Sequence, residues 1–292
     1  MSAASASLLV IGSLHHDLML DAPHLPRLGE TVTGHRWYPK FGGKGGNQAV
    51  AAARAGCRVR MLGAVGDDDF ATPLRDTLER EGVDARRVET IRDRPTGMSV
   101  AISDARGDYG AVIVSGANLA IDAEQLSEDA VWDGIGLLLL QNEVDPELNL
   151  AAAQEAARRG VRTCLNAAPA RTLAEELYAV IDVLVVNTIE AEALRGHAVD
   201  GEADGLAAAS SLADARRTAI VTLGGAGVAV AIPGAPAWHL PAMPVVVRST
   251  HGAGDTFTGA LCAALLCGRS IEVAVRAAND LAARHVAGTA AS

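Results

Sequence analysis

With 292 residues, the chain is long enough to bury a sizeable core, as one large domain or a large domain with a small appendage. Apolar residues make up 49% of it and the formal net charge is −10, which excludes a disordered chain and argues against a nucleic-acid binder. Cys57, Cys164, Cys262 and Cys267 form no CxxC pair and no zinc spacing, so they read as small apolar residues, buried, in a protein of the reducing cytoplasm.

The start, Met1 to Ser7, lacks a charged leader region, so no signal peptide is expected. The apolar runs are too short or too glycine-broken to span a bilayer. Leu8 to Gly12 reads as a buried first strand ending at a glycine. Asn47 to Ala55 is alanine-rich and helical, closed by Gly56. A strand over Arg58 to Val65 and a helix over Phe70 to Glu81 follow, then a leucine-rich strand over Gly136 to Gln141. Pro146 to Arg159 is a helix with proline in its first turn and Gly160 behind it. Val161 to Asn166, Asp182 to Asn187 and Thr218 to Leu223 are strands with helical segments between them. Ala253 to Cys267 and Ile271 to Val286 are the last two helices.

Strands alternating with helices imply an α/β fold whose mostly parallel sheet is covered on both faces. Such sheets bind ligands at the carboxyl ends of their strands. Two stretches, about 15–40 and 97–114, break the alternation. They hold β-like pieces, Asp17 to Leu20, Thr31 to Thr33, Met98 to Ile102 and Ala111 to Val114. A small sheet standing off the main body suits them, either as a lid or as surface decoration.

Two glycine-rich segments carry the chemistry. Gly42-Gly43-Lys44-Gly45-Gly46-Asn47 is not a Walker A loop, because it lacks that motif's spacing and terminal GK[ST]. It is a site of close ligand approach, with Lys44 and Asn47 as donors, or a tight strand–helix turn. Gly252-Ala253-Gly254-Asp255 places bare backbone and a carboxylate at a helix start. Amides there attract anions and stabilise charge on a phosphoryl group in flight, while the acid accepts a proton from an attacking hydroxyl. The plainer alternative is an Asp that complements the helix dipole. Asn187 and Glu190 face one side of a starting helix, as water-mediated magnesium partners or as a capping box. Asp17 and Glu143 lie at or just past strand ends, where a sugar would need acceptors. His15 and His16 are adjacent in a strand and point to opposite faces, so they share no ion.

Together these segments resemble the PfkB carbohydrate kinase family, its ribokinase-like members in particular, from about Leu8 to Gly288. One signature is Gly42 to Ala51 and the other is Ser249 to Leu261. Between them, in the family's order, lie Gly12-Ser13…Asp17, Gly29 to Gly34, Gly66-Asp67-Asp68, Asn166 to Ala170, Asn187…Glu190 and Thr222 to Gly227. The resemblance implies a single kinase domain over 1–292, a ribokinase-like three-layer sandwich with a small β-sheet lid, and a homodimer formed through that lid. It implies ATP, Mg²⁺ and a sugar as partners. Asp255 takes the place of the catalytic base, and Gly252, Ala253 and Gly254 that of the anion hole. His15, Asp17, Gly43, Lys44, Asn47 and Glu143 fall at sugar-holding positions. Asn187, Thr222, Gly224, Gly225, Gly227 and Asn279 fall at nucleotide positions, and Glu190 at a position tied to Mg²⁺ through water.

Three departures bear on substrate and ions. His15 stands where ribokinases usually carry an Asn that touches the sugar, which weakens the case for D-ribose itself. Ser249 stands where they carry the Asp of a monovalent-cation site, which argues against K⁺ activation. The chain also stops soon after Gly288, without the family's usual last helix. The expectation is therefore an ATP-dependent kinase of a ribose-like pentose. A nucleoside kinase or a catalytically silent sugar or nucleotide sensor on the same fold are the alternatives. Aromatic residues at 3% leave few partners for stacking a base. A dinucleotide-dependent dehydrogenase is disfavoured, since no GxGxxG follows the first strand.

Overall fold

The structure, a computed structural model, describes residues 6–104 and 109–289. Residues 1–5, part of the second β-like stretch (105–108) and the last three residues lie outside the described residues. Among the described residues thirteen strands run β1 Ser7–Ile11, β2 His15–Asp21, β3 Arg36–Gly42, β4 Val59–Gly66, β5 Val83–Ile91, β6 Met98–Ser103, β7 Tyr109–Val114, β8 Ile135–Gln141, β9 Arg162–Asn166, β10 Val183–Asn187, β11 Thr218–Thr222, β12 Val228–Ala231 and β13 Trp238–Leu240. The α-helices are α1 Lys44–Arg54, α2 Ala71–Arg80, α3 Asp129–Trp132, α4 Pro146–Arg158, α5 Glu175–Tyr178, α6 Thr188–Arg195, α7 Gly201–Leu212, α8 Ala253–Leu266 and α9 Ile271–Val286.

Nine strands form one sheet in the order β13-β12-β11-β10-β9-β8-β1-β4-β5, parallel from β11 through β5 and antiparallel at the β12 and β13 end. Its central strands read as continuous apolar runs because both faces are covered. Leu8, Val10, Leu137 and Leu139 pack into one buried cluster with residues of α1, α2, α8 and α9. Leu9, Ile11, Leu138 and Leu140 point the other way, into a cluster with residues of α4, α5, α6 and α7. Each such fully buried leucine contributes about 1.5–3 kcal/mol. This is the three-layer α/β sandwich that the alternation of elements predicts.

A second, four-stranded sheet has the order β3-β2-β6-β7. It departs from the carboxyl end of β1, since only residues 12–14 separate that strand from β2. Thr31 to Thr33 is not one of its strands, which corrects the sequence reading. The strand is β3, paired so that His15 faces Gly42 and Asp21 faces Arg36. Pro39 lies inside β3 and argues against a strand by propensity, but an edge strand tolerates a residue with no N–H to donate. The charged edge strand β5 was likewise not apparent from periodicity, and helix α1 begins at Lys44, inside the glycine motif, rather than at Asn47.

All four cysteines are free; Cys164 and Cys262 are buried, whereas Cys267 is exposed behind α8, contrary to its reading as a core residue. No helix among the described residues is long and apolar enough to cross a membrane.

Candidate active site

The carboxyl ends of the parallel strands converge. Ser13 follows β1, Glu143 follows β8, Asn166 ends β9, Asn187 ends β10 and Thr222 ends β11. Helix α1 starts against this rim. It comes so close that a Cβ on Gly45 would lie 2.5 Å from the Ser13 nitrogen and 2.6 Å from the Gly12 carbonyl carbon. Only a glycine allows that approach. The approach lets Glu143 clamp both elements: its Oε2 accepts from Ser13 Oγ at 2.6 Å and from the Lys44 backbone N–H at 2.8 Å.

The second sheet lays its own groups over the same rim. His15 and Asp17 share one face of β2 because they are two residues apart. Both are buried. Ser99 Oγ donates to Asp17 Oδ1 at 2.6 Å. Burial pushes the Asp17 carboxyl above its ordinary value, against the Ser99 bond and the nearby histidines. The His15 Nδ1 is 4.0 Å from Glu143 Oε2, while its Nε2 is buried with no hydrogen-bond partner among the described residues. Lys40, opposite Asp17 on β3, is pulled below its ordinary value by burial.

Asp255 lies in the first turn of α8. It keeps some solvent exposure, but the surrounding protein desolvates the carboxyl and raises its pKa above the ordinary 3.8, against the charge of Lys44 and the bond from Gln48. Gln48 Nε2 donates to Asp255 Oδ1 at 2.9 Å, and Asn47 Nδ2 approaches Oδ2 at 3.4 Å. Just before it, Gly252 caps α8 in the left-handed region at φ 80°. The Ala253 N–H donates to the Thr250 carbonyl at 3.2 Å, so Gly252 and Gly254 carry the amides without an acceptor among the described residues. Asp255 and Gly252 line a cleft of about 560 Å³ together with Lys40, Asn47, His251 and His285.

At the head of α6 the capping box forms. Asn187 Oδ1 accepts from the Glu190 N–H at 2.9 Å, and Glu190 accepts from the Asn187 backbone and side-chain amides at 2.6 and 2.8 Å. The Glu190 carboxyl is also buried and raised by desolvation, with the charges of Lys44 and Asp255 both acting on it. Thr222 Oγ1 bonds the Val186 carbonyl at 3.3 Å. Beyond it Gly224 and Gly225 face open space. Gly227 takes φ 104° and packs against the Leu240 carbonyl. Asn279 Nδ2 donates to the Pro241 carbonyl at 3.2 Å, tying α9 to the segment that follows β13.

The sequence-derived candidates thus fall into two groups. His15, Asp17, Gly43, Lys44, Asn47, Glu143 and Asp255 surround the rim beneath the second sheet, and Asn187, Glu190, Thr222 and the 224–227 loop continue along the strand ends. Residue-type reasoning missed Gln48, Ser99 and His251. Gln48 follows directly on the glycine motif, but its neighbours Asn166 and Asp255 are remote in sequence. The histidine at 251 lies half-desolvated near Lys40 and Asp17, and burial with the Lys40 charge lowers its pKa. Among the described residues no group of three or more His, Cys, Asp or Glu is placed to hold a metal.

A model of the pfkB family of carbohydrate kinases matches residues 5–291. A ribokinase of Mus musculus is 35% identical over 291 residues, covering 98% of this chain and 90% of that protein. A deoxyribokinase of Salmonella typhi is 34% identical over 282 residues, covering 96% and 92%. The structure of Arabidopsis thaliana ribokinase complexed with ribose and ATP superposes with a TM-score of 0.88 at 28% identity, over 97% of this chain and 93% of that one.

Proposed function

The chain belongs to the pfkB family of carbohydrate kinases, and from that premise we propose that it transfers the γ-phosphate of ATP to a hydroxyl of a ribose-like pentose. The observation that carries this reading is the arrangement at the head of α8: Asp255, held by Gln48 and Asn47, directly follows the free amides of Gly252 and Gly254. The sugar lies between the rim and the second sheet, against Asp17, Gly43, Lys44, Asn47 and Glu143. Asp255 takes the proton of the attacking hydroxyl, whose oxygen bonds to the γ-phosphorus as the bond to the β-phosphate oxygen breaks. ADP leaves with that electron pair. The raised pKa of Asp255 strengthens it as a base. The Gly252 and Gly254 amides take up the negative charge on the phosphoryl oxygens. The second sheet acts as a lid that keeps water from competing as acceptor.

ATP lies along Asn187, Thr222, Gly224, Gly225, Gly227 and Asn279, where the bare 224–225 backbone leaves space for it. Magnesium suits the head of α6. The buried Glu190 carboxylate is bonded only to Asn187 among the described residues, and such an oxygen donor suits a hard, hydrated cation reached through water. Bound there with ATP, magnesium supplies charge neutralisation at the phosphates. A monovalent cation fits poorly. Ser249 brings no charge, the Val286 carbonyl already accepts from the Arg248 and Ser249 amides at 2.9 and 3.3 Å, and the Arg248 side chain lies near Gly288. We therefore place turnover without K⁺.

His15 bears on the choice of sugar. Its unpartnered, buried Nε2 suits a substrate hydroxyl, while its bulk narrows the pocket relative to an asparagine. Trp37 and Val112, on the face of the second sheet opposite Asp17, are 68% and 70% exposed, and that apolar surface supports a homodimer through the lid. A cytoplasmic location fits the free cysteines.

ADP release measured over ribose, 2-deoxyribose, hexoses, adenosine, inosine and cytidine, with and without K⁺, tests the reading. A pentose as the fastest substrate, independent of K⁺, is the expected result. Faster turnover of a nucleoside assigns a nucleoside kinase, and ligand binding without ADP release from any substrate assigns a sensor.

A further inference from the structure

His285 lies on the last turn of α9, outside every motif that carries the family resemblance. Its Nε2 is 2.9 Å from the His251 carbonyl oxygen. A carbonyl oxygen only accepts, so Nε2 carries a proton in this contact. The same nitrogen is the heavy atom nearest to where a Cβ on Gly252 would sit, at 3.2 Å. The imidazole therefore lies against the 251–252 peptide.

That peptide is trans, and a trans peptide points its C=O and its N–H in opposite directions. Drawing the His251 carbonyl towards α9 turns the Gly252 N–H away from α9. Gly252 itself does not fix this orientation. At φ 80° it has the freedom that lets a glycine-flanked peptide rotate between turn conformations. The rest of the loop is fastened to the same helix end, since the Arg248 and Ser249 amides both donate to the Val286 carbonyl. Ser249 Oγ accepts from the His251 N–H at 3.3 Å.

We infer that His285 is a positioning residue for the anion hole: its hydrogen bond to the His251 carbonyl holds the 251–252 peptide so that the Gly252 N–H faces the phosphoryl group in transfer. The inference rests on the kinase reading above. It adds a side chain, 34 positions away from His251, that touches neither substrate nor nucleotide in that reading.

The test compares His285→Leu with His285→Gln in the full chain, using ATP and the best sugar. His285→Leu lowers kcat about 10- to 100-fold, the scale of a misdirected oxyanion donor, with the sugar KM within about twofold. His285→Gln, whose amide N–H can reach the same carbonyl, restores most of kcat. Affinity for ADP with aluminium fluoride, which mimics the phosphoryl group in flight, falls with kcat in His285→Leu, while affinity for ADP alone holds. If the leucine variant does not fold, His285→Asn, too short for the bond, takes its place with the same expected ratios. A kcat within about twofold of wild type overturns the role, as does a glutamine variant no better than leucine, or equal weakening of ADP alone. A wild-type enzyme inert towards every sugar sinks the kinase reading instead.

Discussion

The Gln48 side-chain nitrogen donates to Asp255 Oδ1 and to Asn166 Oδ1, both at 2.9 Å. One amide nitrogen carries two protons, so both are committed and the side chain has a single orientation. Its own Oε1 is buried without a partner among the described residues. Gln48 is thus a strut between the end of β9 and the head of α8, and it sets where the Asp255 carboxylate points.

Replacing Gln48 by leucine leaves Asp255 with the 3.4 Å contact to Asn47 alone. The carboxylate loses a donor that favours its ionised form, so its pKa rises further. We expect kcat to fall about 10- to 100-fold and the acid limb of its pH profile to move to higher pH. An unmoved acid limb would show that the strut does not act on the base.

Asp255→Asn removes the proton acceptor and should lower kcat by about 10²–10⁴-fold while leaving ADP and sugar binding near wild type. Stability gives an independent reading. Because burial raises the folded-state pKa above the unfolded value, the native state holds the proton longer. The stabilising contribution of this group is present below the unfolded value and is lost as pH rises through the folded one. Ionised Asp255 is therefore a cost at neutral pH. Thermal unfolding at pH 7 should find the variant at least as stable as wild type, with the difference shrinking in acid. A variant that melts several degrees lower at pH 7 contradicts this.

Gly45→Ala puts a methyl group 2.5 Å from the Ser13 nitrogen and 2.6 Å from the Gly12 carbonyl carbon. Both are backbone atoms, so α1 has to retreat from β1 and Glu143 cannot hold Ser13 and Lys44 together. The expected cost is about 1–3 kcal/mol by denaturant unfolding, with a raised KM for the sugar. Gly254→Ala is a useful contrast, since its added methyl meets nothing within 4 Å. Equal stability losses in the two variants would refute the close-approach argument.

The exposed apolar surface of the second sheet can be tested by charge. Trp37→Lys combined with Val112→Lys leaves the large sheet untouched and should convert a dimer into a monomer in sedimentation experiments. A wild-type protein that sediments as a monomer at micromolar concentration removes the proposed lid dimer.

Much of the fold is legible in the order of residues because its causes are local. The doubly buried strands β1 and β8 announce themselves as apolar runs, Pro146 and the glycine at 160 bracket α4, and Asn187 and Glu190 form the capping box that their spacing allows. What failed was decided by position in the fold rather than by near neighbours. β3 contains a proline and β5 is rich in charge, and each is a strand because it occupies a sheet edge, where a partner on one side supplies the pairing. Cys267 reads as core by residue type, yet it follows the last turn of a helix and meets solvent.

The residue order alone determined the two glycine motifs, the acid at 255 and the sequence of strands and helices, because backbone freedom, capping and hydrophobic period act between near neighbours. Only the folded chain decided which groups meet. Gln48 and Asp255 are 207 positions apart, Ser13 and Glu143 130, and His251 and His285 34. No local period specifies such pairs. They form because parallel strands end on one rim and helices α1, α8 and α9 are packed together beside it, so the burial of apolar faces, not any affinity between the polar groups, brings the chemistry together.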